Sequence, residues 1–370
     1  MVCIIGFGEL DKNLIIPIIG GIALTLINKF YIEYPLFVKY PFIICILSGL
    51  SMCLAIIPFL ISKLQYKKKV KSKEYIAKIK KMRLRKYFLI FITTLLDFIQ
   101  SIVLYIISFR KIFDYWIIDI IIIYLFSYFI LKARLYKHQY LSTIIILLSN
   151  IFLFYYNLRY NQFNFIHILF DLFFEVFVCS IYVINKYNME YHFCSPYELC
   201  FYNGIITTIL YGISFLVFSI YDKQYLDHYV QYFNLFNFRE FIFILSFIIL
   251  NFVYNISILL TNKYYNPFYI LILLIFAVII QNCFPPYSLN FISIYINNFI
   301  LIFAILVFNE VIELNCFGLA TNIKRNIKER ADTDILIDNH DDMMFEENPY
   351  PITGDYYAIE LGENHINGDE

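Results

Sequence analysis

The sequence predicts an all-α, polytopic transmembrane helix bundle of about ten spans that ends in a disordered acidic tail. Three observations carry this. The 370 residues are 61% hydrophobic, 20% aromatic and only 16% charged, with a mean hydropathy of +0.67, whereas soluble domains are roughly half apolar and a quarter charged. The apolar residues fall in continuous runs long enough for membrane helices, not in the alternating ten-residue segments of a β-barrel. The charges are segregated: residues 331–370 hold twelve Asp/Glu and no Lys or Arg, and residues 1–330 hold all 29 basic residues against 17 acidic ones. A soluble core could not hide so much apolar surface. Nucleic-acid binding, a soluble dinucleotide enzyme and a secreted disulfide scaffold are excluded as function classes.

Taken in order, residues 1–13 form a short cytosolic N-terminus that holds Glu9 and Asp11 and lacks the basic start of a cleavable signal. The bundle, residues 14–308, contains the runs Leu14–Tyr34, Phe42–Ile61, Tyr87–Ser108, Tyr115–Leu131, Tyr140–Tyr156, Phe165–Ile184, Phe201–Ile220, Phe241–Leu260, Pro267–Asn282 and Phe291–Phe308. The fifth and ninth are short for a full crossing and point to tilt or re-entry. The loop Lys63–Lys86 carries twelve basic residues and one Glu, with Ile76, Ile79 and Met82 at helical spacing. That pattern predicts a basic amphipathic helix on anionic lipid. Residues 309–330 are a basic juxtamembrane exit, and 331–370 are too polar and acidic to pack.

Orientation follows from Lys and Arg, which concentrate on the cytosolic side of membrane helices. With both termini cytosolic, alternating spans place 22 basic residues inside and 7 outside. The predicted location is an integral, multi-pass membrane protein; Golgi, endosomal or vacuolar, and plasma membranes all remain open.

An ionisable side chain within the hydrocarbon region costs several kcal/mol and marks a functional candidate. Asp97, Asp119, Asp171 and Glu175 qualify as transport or coupling residues. Asp171 and Glu175 are one helical turn apart, hence on one face. Two such carboxylates cannot both ionise cheaply in a low dielectric, which is what a proton relay or cation site requires. Gln100, Asn251 and Asn255 are polar cavity candidates, with interhelical hydrogen bonding the alternative. Gly20, Gly21, Gly204 and Gly212 are candidates for close helix crossings. Lys29, four residues before Glu33, reads as a snorkelling surface pair.

No H-E-x-x-H, G-x-S-x-G, Walker A or G-x-G-x-x-G motif is present, so no enzymatic activity, catalytic residue or cofactor is expected. The eight cysteines are scattered, without C-x-x-C pairs or nearby histidines. Buried free thiols are expected rather than metal ligands.

The run Cys194-Ser-Pro-Tyr-Glu-Leu-Cys-Phe-Tyr-Asn-Gly204 resembles the Ser-Pro…Gly start of a later helix in the drug/metabolite transporter superfamily, which includes solute carriers of the nucleotide-sugar type. Asn309-Glu-Val-Ile-Glu-Leu-Asn-Cys-Phe-Gly-Leu-Ala-Thr-Asn322 resembles the cytoplasmic exit of their last helix. The resemblance implies two five-helix halves in opposite orientation, joined here at 157–164. It implies a secondary transporter of a small solute working by alternating access, proton- or cation-coupled. The alternative is a non-transporting multi-pass scaffold or receptor-like protein. Membrane lipids and a small-molecule solute are the expected partners, with no nucleic acid; a homodimer stays open. Asp332-Thr-Asp-Ile-Leu-Ile337 and Tyr356-Tyr-Ala-Ile359 resemble dileucine and tyrosine sorting signals, which would bring sorting adaptors to the tail.

Overall fold

The computed structural model describes residues 4–7, 12–33, 41–69, 73–107, 116–132, 135–160, 165–192, 194–221, 238–265, 267–282 and 291–315. The acidic tail and its two sorting strings lie outside the described residues. Each apolar run of the sequence is helical: α1 (Ile15–Glu33), α2 (Pro41–Cys53 continued by Ile56–Lys69), α3 (Lys73–Ile107), α4 (Trp116–Leu131), α5 (Lys137–Tyr160), α6 (Phe165–Tyr191), α7 (Pro196–Tyr221), α8 (Phe238–Tyr264), α9 (Phe268–Asn282) and α10 (Phe291–Phe308). Three stretches, Phe42–Leu64, Pro196–Ile220 and Glu240–Tyr264, are long and apolar enough to cross a membrane. Large apolar side chains such as Phe129 (72% exposed) and Phe299 (73%) line the outside, as they do where lipid is the solvent.

Local chemistry sets the helix ends. α2 breaks at Leu54 and Ala55, where tight bonds to Ser51 and Met52 replace the helical ladder. Pro58 causes the break, because it lacks the N–H that would satisfy the Leu54 carbonyl and its ring crowds that carbonyl. α7 opens on Ser195-Pro196, with the Ser195 carbonyl accepting from Leu199 N at 2.9 Å; proline in a first turn loses no helical bond.

The bundle is helical, as expected, and a short ribbon adjoins it: β1 (Ile4–Phe7) pairs antiparallel with β2 (Ile312–Asn315), from Ile4 opposite Asn315 to Phe7 opposite Ile312. The ribbon ties the segment before α1 to the segment after α10. One expectation is corrected: the basic stretch forms no separate surface helix, because Lys73–Lys86 are the first turns of the 35-residue α3. Of the short runs, the fifth lies in a 24-residue helix, whereas α9 remains 15 residues long.

Some neighbouring helices run antiparallel and others parallel. α2 and α7 run antiparallel: Phe42 meets Phe218, Gly49 meets Thr208, and Phe59 meets Phe201. α5 and α10 also oppose each other, through Ser142 to the Ala304 carbonyl (2.5 Å) and Ser149 to Asn297. α3 and α7 run parallel through Lys86–Glu198, Thr94–Asn203 and Phe98–Tyr211. The two larger clusters of buried apolar residues lie among α4, α5, α6, α9 and α10 and among α2, α3, α6, α7 and α8.

Most of the neighbour pattern repeats with a shift of five helices. The contact α1–α8 becomes α6–α3, α1–α9 becomes α6–α4, α2–α8 becomes α7–α3 and α4–α5 becomes α9–α10; the contacts α2–α7, α5–α10 and α4–α9 map onto themselves. The repeat reaches single residues. Ser142 with Ala304 and Ser149 with Asn297 exchange places under a shift of 155 positions, and the same shift carries Gly49 to Gly204. Ile27-Asn-Lys-Phe-Tyr-Ile-Glu-Tyr34 matches Ile184-Asn-Lys-Tyr-Asn-Met-Glu-Tyr191 at Ile, Asn, Lys, Glu and Tyr. Pro41-Phe-Ile-Ile-Cys-Ile-Leu-Ser-Gly49 matches Pro196-Tyr-Glu-Leu-Cys-Phe-Tyr-Asn-Gly204 at Pro, Cys and Gly. Leu95-Leu-Asp-Phe98 likewise matches Ile249-Leu-Asn-Phe252. The counterparts α2 and α7, and likewise α5 and α10, run antiparallel to each other.

Candidate functional site

Asp97 lies on α3 between the two halves. Cys45 of α2, Tyr211 of α7 and Tyr254 of α8 surround it closely enough to interact electrostatically. α3 holds it there through neighbouring turns: Thr94 Oγ1 donates to Asn203 Oδ1 at 2.9 Å, and Phe98 packs edge-on against Tyr211. Asp97 is half-buried and, among the described residues, its carboxylate makes no hydrogen bond or ion pair. Its repeat counterpart is Asn251, the amide of the same shape. Asn251 Nδ2 donates to Ser48 Oγ (2.8 Å) and Ser51 Oγ (2.6 Å) on α2. One half therefore presents an uncapped acid where the other presents a capped amide.

A second acidic group lies among α4 and α6. Asp119, in the first turn of α4, is buried, and the Cys179 thiol lies 3.8 Å from both its backbone and a carboxylate oxygen. Glu175, one turn before Cys179, interacts with the same thiol. Both carboxylates also reach Tyr182, whose hydroxyl meets that of Tyr254. Tyr254 is the residue beside Asp97. Two tyrosines thus bridge the Asp97 site to the Asp119–Glu175 site. The expected partner of Glu175 was Asp171, whose side chain lies outside the described residues; the acid seen sharing its neighbours is Asp119.

The remaining polar candidates have other placements. Asn255 turns back on its own helix, donating to the Asn251 carbonyl at 2.8 Å. Gln100 is half-buried one turn beyond Asp97. Of the glycines, Gly20, Gly21 and Gly204 sit at tight crossings, but a Cβ on Gly212 would meet nothing within 4 Å, so that expectation is corrected. Gly49, which composition alone did not single out, faces Gly204.

The end of the bundle that carries the ribbon is tied by buried charges. Lys86 Nζ lies 2.8 Å from Glu198, both about one-tenth exposed, and Tyr87 reaches the same carboxylate at 3.3 Å. Asn188 Nδ2 caps the Lys86 carbonyl. His138, at the start of α5, lies 3.1 Å from Glu310, which takes a left-handed turn after α10. Lys186 pairs with Glu190 at 3.0 Å and donates to the Lys263 carbonyl at 3.1 Å. Burial lowers the Lys186 pKa, Glu190 opposes that shift and Lys263 adds to it. Burial also lowers the His192 pKa, helped by Arg85 and Lys86.

The described cysteines, Cys45, Cys53, Cys179, Cys194 and Cys200, are free thiols, and no group of three metal-ligating side chains occurs among the described residues. No protein-family model matches the chain, and no curated protein matches it. Sequence reasoning found the acids through the cost of charge in lipid. It missed Cys45, Tyr182, Tyr211 and Tyr254, because tyrosine is common throughout a chain with 34 of them. The internal repeat was the available signal, since it aligns Asp97 with Asn251 and Cys45 with Cys200.

Proposed function

We propose that the chain is a ten-span secondary transporter of a small solute, built like the drug/metabolite transporters from two inverted five-helix halves. The observation that carries this reading is that most helix-neighbour contacts map onto one another under a five-helix shift, the contacts of α8 with α6, α7 and α9 excepted. Inverted repeats of this kind let one bundle rock against the other about a midplane site, exposing it alternately to each side. The strand pairing of β1 with β2 supports an even number of crossings, and the 22-to-7 basic distribution supports a cytosolic ribbon end.

Asp97 is the coupling residue in this reading. A carboxylate at that depth without a hydrogen-bond partner needs a proton or a cation to offset its burial. The tyrosine pair Tyr254–Tyr182 extends the polar path toward Glu175 and Asp119. Because the equivalent position in the other half is Asn251, the coupled charge belongs to one half only. Exchange of the two conformations therefore moves it relative to the membrane faces.

The test uses purified protein in liposomes loaded with a pH-sensitive dye, challenged with panels of amino acids, sugars, nucleosides and small organic cations. At least one panel should change the internal pH, and Asp97→Asn should abolish the change while the protein stays monodisperse. Wild-type proton movement in Asp97→Asn removes the coupling role. Failure of every panel to move protons or accumulate counts against transport and favours a scaffold.

A further inference from the structure

Ten buried side-chain atoms among the described residues have no hydrogen-bond partner, and five of them share one region: Asn185 Oδ1, Asn188 Oδ1 and His192 Nδ1 along α6 and its exit, and Thr261 Oγ1 and Asn262 Oδ1 on α8. Three bonds between helices fix the place. Asn262 Nδ2 donates to the Tyr182 carbonyl of α6 at 2.7 Å, and Lys186 Nζ to the Lys263 carbonyl of α8 at 3.1 Å. Asn188 Nδ2 donates to the Lys86 carbonyl of α3 at 3.3 Å. Asn185 lies between these anchors in sequence. His192 follows Asn188 by one turn, its N–H bonded to the Asn188 carbonyl at 3.2 Å. Steps of three and four residues make Asn185, Asn188 and His192 successive neighbours on the helix surface. The stripe follows the seam where α6 packs against α3 and α8, over ~15 Å of helix between Tyr182 and His192.

The orphaned atoms are of one kind. Asn188 and Asn262 each commit an amide N–H to a main-chain carbonyl, so their oxygens remain as acceptors. Asn185 Oδ1 is an acceptor too, and the Thr261 hydroxyl and a neutral His192 ring also accept. Burial, Arg85 and Lys86 all lower the His192 pKa, which keeps that ring neutral, and Tyr187 packs edge-on against it. Acceptors left dry in such a seam are costly. A metal ion is a poor occupant, because Arg85, Lys86, Lys186 and Lys263 stand around the seam against Glu190 and Glu198. Water brings donors without charge, and buried water bridges groups of this kind.

We propose that a file of bound water fills this seam and joins the ribbon face to Tyr182. The inner end is connected onward: Tyr182 meets Tyr254, which stands beside Asp97, and Glu175 reaches Tyr182 as well. The role of the water rests on the transporter reading, in which it lets the coupling acids exchange protons with the ribbon side. Its presence does not, so the two can fail separately.

The experiment needs no solute. Full-length protein in nanodiscs receives a brief X-ray pulse that makes hydroxyl radicals from water in place, while a scavenger quenches those in the bulk. Oxidation is read peptide by peptide by mass spectrometry at Tyr182, with exposed Tyr295 as the outside reference and buried Phe247 as the dry one. Tyr182 should be oxidised severalfold faster than Phe247. Asn185→Leu with Thr261→Val, close in volume but without the acceptors, should slow Tyr182 severalfold and leave Tyr295 unchanged. Tyr182 as slow as Phe247 in the parent, or an unchanged Tyr182 rate in the double variant, overturns the proposal. Melting of Thr261→Val gives an independent check that holds even if the double variant is not monodisperse. A dry hydroxyl would make Thr261→Val melt higher than the parent, because an unsatisfied buried group is removed, and that result also overturns the proposal. A hydrated hydroxyl gives no such gain.

Discussion

Gly49 on α2 and Gly204 on α7 pack against each other backbone to backbone and are each other's counterparts in the repeat, so their contact is its own image. A Cβ on Gly204 would lie 2.7 Å from the Gly49 carbonyl oxygen and 2.8 Å from the Cys53 nitrogen. Those are main-chain atoms and cannot rotate aside. Gly204→Ala should therefore destabilise the protein by ~1–3 kcal/mol, the usual cost of overpacking. Gly212→Ala, with open space around it, should be neutral or gain up to ~1 kcal/mol from helix propensity. Heat-induced loss of the monodisperse peak in detergent measures both; equal melting of the two variants would rule out the tight crossing.

The Lys86–Glu198 pair joins α3 to α7 across the halves, and both side chains are mostly buried. Removing one partner strands the other charge, so Glu198→Ala should cost ~3–5 kcal/mol. Replacing both, as Lys86→Met with Glu198→Leu, should recover most of that loss, because two apolar groups of similar volume leave nothing unpaired. Thermal unfolding of the three proteins checks the order. A double variant no more stable than Glu198→Ala would mean that the pair contributes more than mutual neutralisation.

His192 makes stability depend on pH at the ribbon end. Its pKa is lowered in the folded protein by burial and by Arg85 and Lys86, so the unfolded chain binds the proton more readily. The contribution is fully present above the unfolded value of about 6.5 and is lost as pH falls through the lowered folded value. His192→Gln should melt at nearly the same temperature as wild type at pH 8 and lose less stability on acidification to pH 5. Parallel melting curves for the two proteins across that range would refute the assignment.

The sequence discloses the helices and conceals their pairing. Continuous apolar runs without alternation admit one regular structure, so the helices of the described residues were legible. The ribbon was not, because Ile4–Phe7 and Ile312–Asn315 are four-residue strands whose partners lie at opposite ends of the chain. Asp97, Asp119 and Glu175 stood out because charge is costly in lipid. Tyr182 and Tyr254 matter only through the acids that they connect, and composition hides them. The repeat was present in the residues but is short and interrupted; Gly49 and Gly204 become recognisable as equivalents once the helices that carry them are seen to cross.

The ribbon also makes the side on which each terminus lies testable. β1 precedes α1 and β2 follows α10, and their antiparallel pairing places the first and last helix ends at one face. In the ten-span reading proposed above, whatever the tilt of the short α9, the number of crossings between the strands is even. In the reading proposed above, the bias of basic residues places that face in the cytosol. Epitope tags before residue 1 and after residue 370 should both bind antibody once digitonin opens the plasma membrane, with internal membranes still sealed. Accessibility of one tag without the other would make the crossing number odd and break the inverted repeat. Protection of both tags would keep the even number and reverse the orientation, placing Lys86, Lys186 and the rest of the basic face outside the cytosol against the charge rule.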